Sequence, residues 1–385
     1  MSIKRIGIIG GGQLAWMMGD ASKKLGVELI VQTPSQNDPA VSIAEDTVFA
    51  AVDDAKATEI LAKKCDVITF ENEFVNLDAL SLLEKQGVCF RPRLAALAPL
   101  LDKYHQRCYL QDLGLPVPQF FALEKSADIE SKIEYLGFPI VLKARRHGYD
   151  GQGTFIIHDL ATLSTVVNQS NTHLLVEEFV PFTRELAIIA ARSVNGEIVT
   201  YPVVETQQEQ QVCRRVIAPA DITPEQAAEI KAIAHTILNS LQVVGIFGIE
   251  LFITAEGKIL INEIAPRTHN SGHFSLDACQ TSQFEQHLRA VCGLSLTNTA
   301  LHCAGAVMVN LLGYENSRSD YSQQRQKLTD IPHAYLHWYG KTESRPGRKL
   351  GHITVLLEQQ NRDGIESIIQ TIESIWYPAE VTGDR

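Results

Sequence analysis

No stretch of the 385 residues approaches the roughly 18 consecutive apolar positions that a membrane-crossing helix requires. The seven cysteines, at positions 65, 89, 108, 213, 279, 292 and 303, are odd in number and form no Cys-x-x-Cys. That argues against a disulfide or zinc framework and for reduced, mostly buried thiols in a cytoplasmic protein. Basic charge is in deficit: 34 Lys and Arg against 45 Asp and Glu give a net charge of −11. A duplex- or membrane-binding chain carries the opposite sign over at least one domain, so neither partner is expected. The apolar run between Lys4-Arg5 and the first glycines is too short for a signal peptide. Internal repeats and low-complexity tracts are also missing. What is present is 45% apolar and 21% charged residues, enough to bury cores in two or three domains.

The organisation reads as α/β, mixing α/β and α+β parts. Strand-like runs at Ile6–Ile9, Val27–Val31 and Val67–Phe70 alternate with a helical pattern over Gln13–Leu25. This βαβ rhythm predicts an N-terminal doubly wound parallel sheet over 1–97. Pro92, Pro99, Pro116 and Pro118 punctuate its exit. A small α+β domain is expected over 98–170, a larger strand-rich domain with a helix at Pro224–Leu241 over 171–298, and a C-terminal domain over 299–385.

Gly10-Gly11-Gly12-Gln13-Leu14-Ala15 matches the G-x-G-x-x-A dinucleotide fingerprint between a strand and a helix. A nicotinamide enzyme also places an acid at the end of its second strand to hold the ribose. Here that strand ends Gln32-Thr33-Pro34-Ser35, so the turn favours phosphate or substrate over NAD. Gly340-Lys341-Thr342 lacks the earlier glycine of a Walker loop, since position 335 is Tyr.

A more specific signal lies in two apolar strands, Gly245–Thr254 and Lys258–Ile264, flanking Glu256-Gly257. Counting back from a two-residue hairpin loop sets Glu250 opposite Glu263 on one face, their Cβ atoms about 5 Å apart. Like charges so placed repel, and a hard divalent cation removes the penalty; Mg²⁺ typically takes one or two carboxylates plus substrate phosphates. Asn262 is adjacent and can complete the set. Upstream, Lys143 ends an apolar strand and runs into Ala144-Arg145-Arg146-His147-Gly148-Tyr149-Asp150-Gly151-Gln152-Gly153-Thr154. Three glycines in six residues, with cations beside them, suit a loop that wraps polyphosphate and closes on binding. The strand Leu174-Leu175-Val176-Glu177-Glu178-Phe179-Val180-Pro181 follows, then Glu185.

In this order the pieces resemble the ATP-grasp superfamily. Longer strings narrow the resemblance to the N5-carboxyaminoimidazole ribonucleotide synthetase family: Asn262-Glu263-Ile264-Ala265-Pro266-Arg267-Thr268-His269-Asn270-Ser271-Gly272-His273, the lid from His147 to Gly153, Leu336-His337-Trp338-Tyr339-Gly340-Lys341, and Arg345-Pro346-Gly347-Arg348-Lys349. The similarity runs from the glycine turn to about residue 357.

The resemblance implies an ATP- and bicarbonate-dependent ligase that forms carboxyphosphate and carboxylates aminoimidazole ribonucleotide. It implies that Lys103 and Lys143 meet ATP phosphates beneath a lid of Gly148, Tyr149, Asp150, Gly151, Gln152 and Gly153, with Thr154 also at the nucleotide. Glu177, Glu178, Phe179 and Val180 would clasp adenine, with Glu185 on the ribose and Gln208 and Asn262 lining the nucleotide. Glu250 and Glu263 would hold Mg²⁺, while Arg267, His269, Asn270 and Lys349 would surround the carboxyphosphate. Gln13, Leu14, Glu73, Tyr149, Arg345, Arg348 and Lys349 would hold the ribonucleotide. Three cations in five residues at 345–349 make sense as a phosphate site in an acidic chain. The resemblance also implies a homodimer.

Two positions depart from the pattern: Gln152 stands where the family often has arginine, and Gln208 where it often has histidine. His333 and His337, four apart, read as a packed or surface pair. Among rivals, formate-dependent glycinamide ribonucleotide transformylase shares the ATP machinery and is disfavoured only by the strings at 266–273 and 345–349. Biotin carboxylase is expected to be longer. An idle nucleotide-binding protein would have lost the metal carboxylates or lid glycines, and both are intact.

Overall fold

The computed structural model describes residues 3–123, 129–146, 148 and 153–377, with side chains omitted for 129–132. Three sheets carry the architecture. The first is parallel: β1 (Arg5–Ile9), β2 (Glu28–Thr33), β3 (Asp46–Phe49) and β4 (Val67–Phe70) lie in the order β3-β2-β1-β4. Its strands are nearly continuous apolar runs because helices cover both faces. The helix expected over Gln13–Leu25 is two pieces, Gln13–Trp16 and Gly19–Leu25. The second piece starts at Gly19, where a Cβ would press on Ile43 at 3.1 Å.

The second sheet is antiparallel, with β5 (Phe120–Leu123), β6 (Ile140–Ala144), β7 (Thr154–Ile157) and β8 (Leu174–Glu178) in the order β5-β8-β6-β7. The third has nine strands: β9 (Phe182–Arg192), β10 (Ile198–Thr200), β11 (Val204–Glu209), β12 (Val212–Ala218), β13 (Gly245–Thr254), β14 (Ile259–Ala265), β15 (Gly305–Leu312), β16 (Ala334–Trp338) and β17 (Lys349–Leu357). Its path runs β14-β13-β9-β11-β12-β15-β17-β16, with β10 beside β9.

Helix Pro224–Leu241 covers one face of this large sheet. Thr223 and Gln226 form a capping box at its start, Pro224 occupies the first turn, and Ile230, Ile233, Ala234, Ile237, Leu238 and Leu241 repeat at helical spacing. Helix Arg362–Trp376 packs its Ile365, Ile369, Ile372 and Trp376 against β15 and β17.

Strand pairing crosses the two later divisions of the chain. A cut near 170 would sever β8 from the sheet in which it is a central strand. A cut near 298 would overlook that β15 bonds to β12, so the C-terminal strands continue the large sheet. Pairing over such sequence distances leaves no trace in composition or punctuation.

Candidate active site

The three sheets meet around one cleft of about 1090 Å³. Its floor is the β13–β14 hairpin, where Glu250 does pair with Glu263, though by another route than a two-residue loop. Near the turn Leu251 pairs with Ile261 and Ile253 with Ile259, and the loop is the three residues Ala255 to Gly257, with Gly257 at φ +80°. One extra residue on β14, Asn262, then bulges and brings the glutamates into register. Such bulges re-aim side chains beside active sites. Asn262 Oδ1 accepts from Lys143 Nζ at 3.1 Å, and its Nδ2 lies 3.4 Å from Glu250 Oε2.

The two carboxylates relieve their repulsion differently. Burial, then the charges of Glu263 and Glu185, push Glu250 up to about 7. Glu263 is held below the usual carboxylate range despite burial, chiefly by Lys103, whose Nζ bonds to its Oε2.

At the end of the cleft formed by β6 and β8, Glu177 is the buried centre of a cation pair. It accepts from Arg107 Nε at 2.6 Å and from Lys143 Nζ at 2.7 Å. Burial opposes its charge, yet Arg107 and Lys143 hold it down at about 2. Burial lowers Lys143 against the pull of Glu177. Arg107 Nη2 also donates to the Asn262 carbonyl at 2.6 Å, tying helix Lys103–Asp112 to the bulge. Glu178, Phe179 and Val180 follow as cleft lining, and burial pushes Glu185 up to about 7 while Gln208 bonds to it. Gly148 and Thr154 line the cleft, whereas Gly153, at φ +80° against Ala144, is not among the lining residues. Tyr149, Asp150, Gly151 and Gln152 lie outside the described residues.

At the opposite end the glycine turn holds the protein's own carboxylate. A Cβ on Gly10 would fall 2.5 Å from Glu71 Oε2, and one on Gly12 2.5 Å from Glu71 Oε1. Burial raises that carboxyl's pKa against the charge of Arg267, the Asn72 amide and the N–H groups of Gly12 and Leu14. Glu71 thus occupies the slot a dinucleotide phosphate would need, which explains why the fingerprint carries no NAD signature. Gln13 and Leu14 still face the cleft. Arg267 is clamped by Glu73, Nε to Oε2 at 2.6 Å and Nη2 to Oε1 at 3.3 Å. Although burial works against it, that pairing raises the guanidinium further. Arg345, Arg348 and Lys349 line the same end, with Lys349 opening β17 and Lys341 Nζ donating to its carbonyl at 2.8 Å.

Between the two ends lies the turn Asn270–Gly272. The Ser271 N–H donates to His269 Nδ1 at 3.4 Å, which leaves Nε2 facing Glu250 Oε1, also at 3.4 Å. Asn270 and Asn310 exchange amide hydrogen bonds at 3.0 and 2.7 Å.

Sequence reasoning missed Arg107, Glu71 and Lys341. Arg107 had a signal, since it stands four residues after Lys103 on the same helical face. Glu71 had none, because only the parallel pairing of β1 with β4 carries it to the glycine turn. His333 and His337 do not act together. His337 Nε2 bonds to Asp277 at 2.9 Å and its ring stacks on His352, centroids 4.6 Å apart and planes 16° off parallel; His333 is exposed near Glu358. No described helix is long and apolar enough to cross a membrane.

Three family models match the chain: a ribonucleotide synthetase preATP-grasp domain over residues 3–99, an ATP-grasp domain over 108–284, and a phosphoribosylaminoimidazole carboxylase C-terminal domain over 306–363. An N5-carboxyaminoimidazole ribonucleotide synthase from Synechococcus elongatus is 54% identical over 97% of this chain and 96% of its own. The solved N5-carboxyaminoimidazole ribonucleotide synthetase of Thermotoga maritima superposes with a TM-score of 0.84 at 39% identity, covering 96% of each chain. An N5-carboxyaminoimidazole synthase from Aspergillus clavatus, solved with ADP and 5-aminoimidazole ribonucleotide, gives a TM-score of 0.88 at 29% identity over 97% of this chain and 98% of that one. Full-length identity of this order, over three matched domains that together form the cleft, makes the chain a member of the N5-carboxyaminoimidazole ribonucleotide synthase family.

Proposed function

We propose that this chain carboxylates 5-aminoimidazole ribonucleotide with ATP and bicarbonate, giving N5-carboxyaminoimidazole ribonucleotide, ADP and phosphate in purine synthesis. One observation carries the reading: a single cleft joins the carboxylate hairpin and Lys143 at one end to Arg345, Arg348 and Lys349 at the other. A nucleotide and a phosphorylated second substrate can therefore meet in it. The Aspergillus clavatus relative holds ADP and 5-aminoimidazole ribonucleotide together.

Bicarbonate oxygen attacks the γ-phosphorus, the β–γ bridge breaks, and ADP leaves. The amine nitrogen then bonds to the carboxyl carbon of carboxyphosphate. The carbon–oxygen bond to phosphate breaks, and phosphate departs with the electron pair and the amine's proton. The protein's part is positioning and charge neutralisation. Lys103 and Lys143 meet the phosphates under the lid from Gly148 to Gly153, Glu177 to Val180 clasp the base, and Glu185 and Gln208 meet the ribose. Arg267, His269, Asn270 and Lys349 surround carboxyphosphate, and Gln13, Leu14, Glu73, Tyr149, Arg345 and Arg348 hold the ribonucleotide.

The donor set fits Mg²⁺: two opposed, half-buried carboxylates with an amide oxygen beside them, one now countered by a lysine and the other pushed toward neutrality. Bound there, the ion would neutralise charge on the transferring phosphates, and Lys103 would be released from Glu263 to turn toward them. The reading includes a homodimer working in the cytoplasm, the first testable by light scattering on the eluting protein.

The deciding assay is ADP release with Mg²⁺, ATP and bicarbonate, with and without aminoimidazole ribonucleotide, beside Glu263→Ala. Stimulation by the ribonucleotide that the variant loses is the expected result. No stimulation by aminoimidazole ribonucleotide, with stimulation by formate plus glycinamide ribonucleotide, would overturn it.

A further inference from the structure

Gln283 is fully buried at the first position of helix Gln283–Cys292. Its carboxamide is gripped from both sides by the backbone of His269: Oε1 accepts from the His269 N–H at 2.9 Å, and Nε2 donates to the His269 carbonyl at 2.7 Å. A backbone N–H can only donate and a carbonyl can only accept, so the amide has one orientation. Its second Nε2 hydrogen is directed at His273 Nδ1, 3.1 Å away. Nδ1 must therefore accept, and the proton of the neutral ring sits on Nε2.

The surroundings keep that ring neutral. His273 is 1% exposed and packs against Phe284 and His352, with ring centroids 5.7 and 5.1 Å away. The charged and titratable groups acting on it are Lys349, His269, His337 and Arg267, and like burial they disfavour an imidazolium. Glu250 Oε1 lies 3.4 Å from His269 Nε2. Gly272 makes the arrangement sterically feasible, since a Cβ there would sit 2.7 Å from Gln283 Oε1 and 2.8 Å from Ile189. His273 lines the cleft next to His269, Asn270 and Lys349, and with Nδ1 committed to Gln283 its remaining polar atom is the Nε2–H.

We propose that His273 is a catalytic residue acting as a fixed, neutral N–H donor to the carboxyl oxygen of carboxyphosphate and of the carbamate product, and that Gln283 is the positioning residue that locks its tautomer. This rests on the carboxylation reading above. As the amine adds to the carboxyl carbon, charge builds on that oxygen, and a preorganised donor is worth most there. The neutral form matters chemically. A carbamate protonated on nitrogen loses CO₂; an imidazolium could supply that proton, whereas a neutral imidazole N–H hydrogen-bonds without surrendering it.

Two measurements on the full-length protein test this. In ¹⁵N-histidine-labelled protein, with the His273 resonances assigned by their loss in His273→Gln, Nε2 carries the proton and Nδ1 stays bare between pH 6 and 8. In Gln283→Leu the lock is released, and His273 shows mixed tautomers or titrates within that window. In the ADP-release assay His273→Phe loses about a hundredfold in kcat, with KM for ATP unchanged. His273→Gln, whose amide reaches the Nε2 position, retains activity within about tenfold of the parent. A protonated Nδ1 at pH 7, or equal kcat in His273→Phe and the parent, overturns the proposal. Failure of the carboxylation reading is separately visible, as a parent protein that aminoimidazole ribonucleotide does not stimulate.

Discussion

Replacing Glu250 by glutamine should make the protein more stable and less active, and the stability gain should depend on pH. In the unfolded chain this carboxyl titrates near 4.5, and in the fold it is pushed up to about 7. The raised value means folding favours the protonated form. Its stabilising contribution is complete below pH 4.5 and is lost as pH rises through 7. At pH 8, keeping the carboxylate ionised beside Glu263 costs about 3 kcal/mol at 1.36 kcal/mol per pKa unit. Glutamine keeps the shape and the hydrogen bond with Asn262 and carries no charge, so it escapes the cost. For a chain of 385 residues, about 3 kcal/mol moves the thermal midpoint by roughly 4 °C. Melts in EDTA without nucleotide should therefore place Glu250→Gln about 4 °C above the parent at pH 8 and nearly level with it at pH 5. Adding Mg²⁺ and ATP should raise the parent's midpoint and leave the variant's nearly unmoved, while ADP release disappears. A variant equally displaced at both pH values, or less stable than the parent at pH 8, would refute the electrostatic argument.

Arg107→Met leaves Glu177 with one cation and the Asn262 carbonyl without its donor; the expected loss is about 3–5 kcal/mol in urea denaturation. Because Glu177 is held at about 2, its contribution is intact above pH 4.5 and lost as pH falls toward 2, so the variant should also begin acid unfolding at higher pH. ADP affinity should rise with pH through about 7, where Glu185 ionises, and Glu185→Gln should flatten that profile in titration calorimetry. Gly10→Ala places a Cβ 2.5 Å from Glu71 at a φ of +113°, which should cost about 1–3 kcal/mol in the thermal or urea unfolding transition.

What the sequence disclosed and what it concealed divide along physical lines. The facing glutamates were legible because strand alternation and a glycine turn are local properties, and helix Pro224–Leu241 was legible from its cap and apolar period. The bulge at Asn262 was not, since it is chosen by contacts with Lys143 and Arg107 from two other elements. The loop's extra residue and the bulge's extra residue offset each other, so a count that assumed neither still set the correct pair opposite. Glu71 in the glycine turn, and the union of β12 with β15, depend on pairings between distant segments that no spacing rule reaches.

The union of β12 with β15 has a mechanical consequence. Glu250 and Glu263 stand on ribs at one end of a plate, and Lys349 stands on a rib several strands along the same plate. Backbone hydrogen bonds lace every rib to the next, so the span between these carboxylates and Lys349 is a fixed gauge, not a hinge. The smaller β5–β8 plate, which carries Lys143 and Glu177, is joined to the larger one by side-chain contacts through Arg107 and Asn262. Any parting of the two plates must break those contacts, whereas the distance from the hairpin carboxylates to Lys349 is held by the ladder itself.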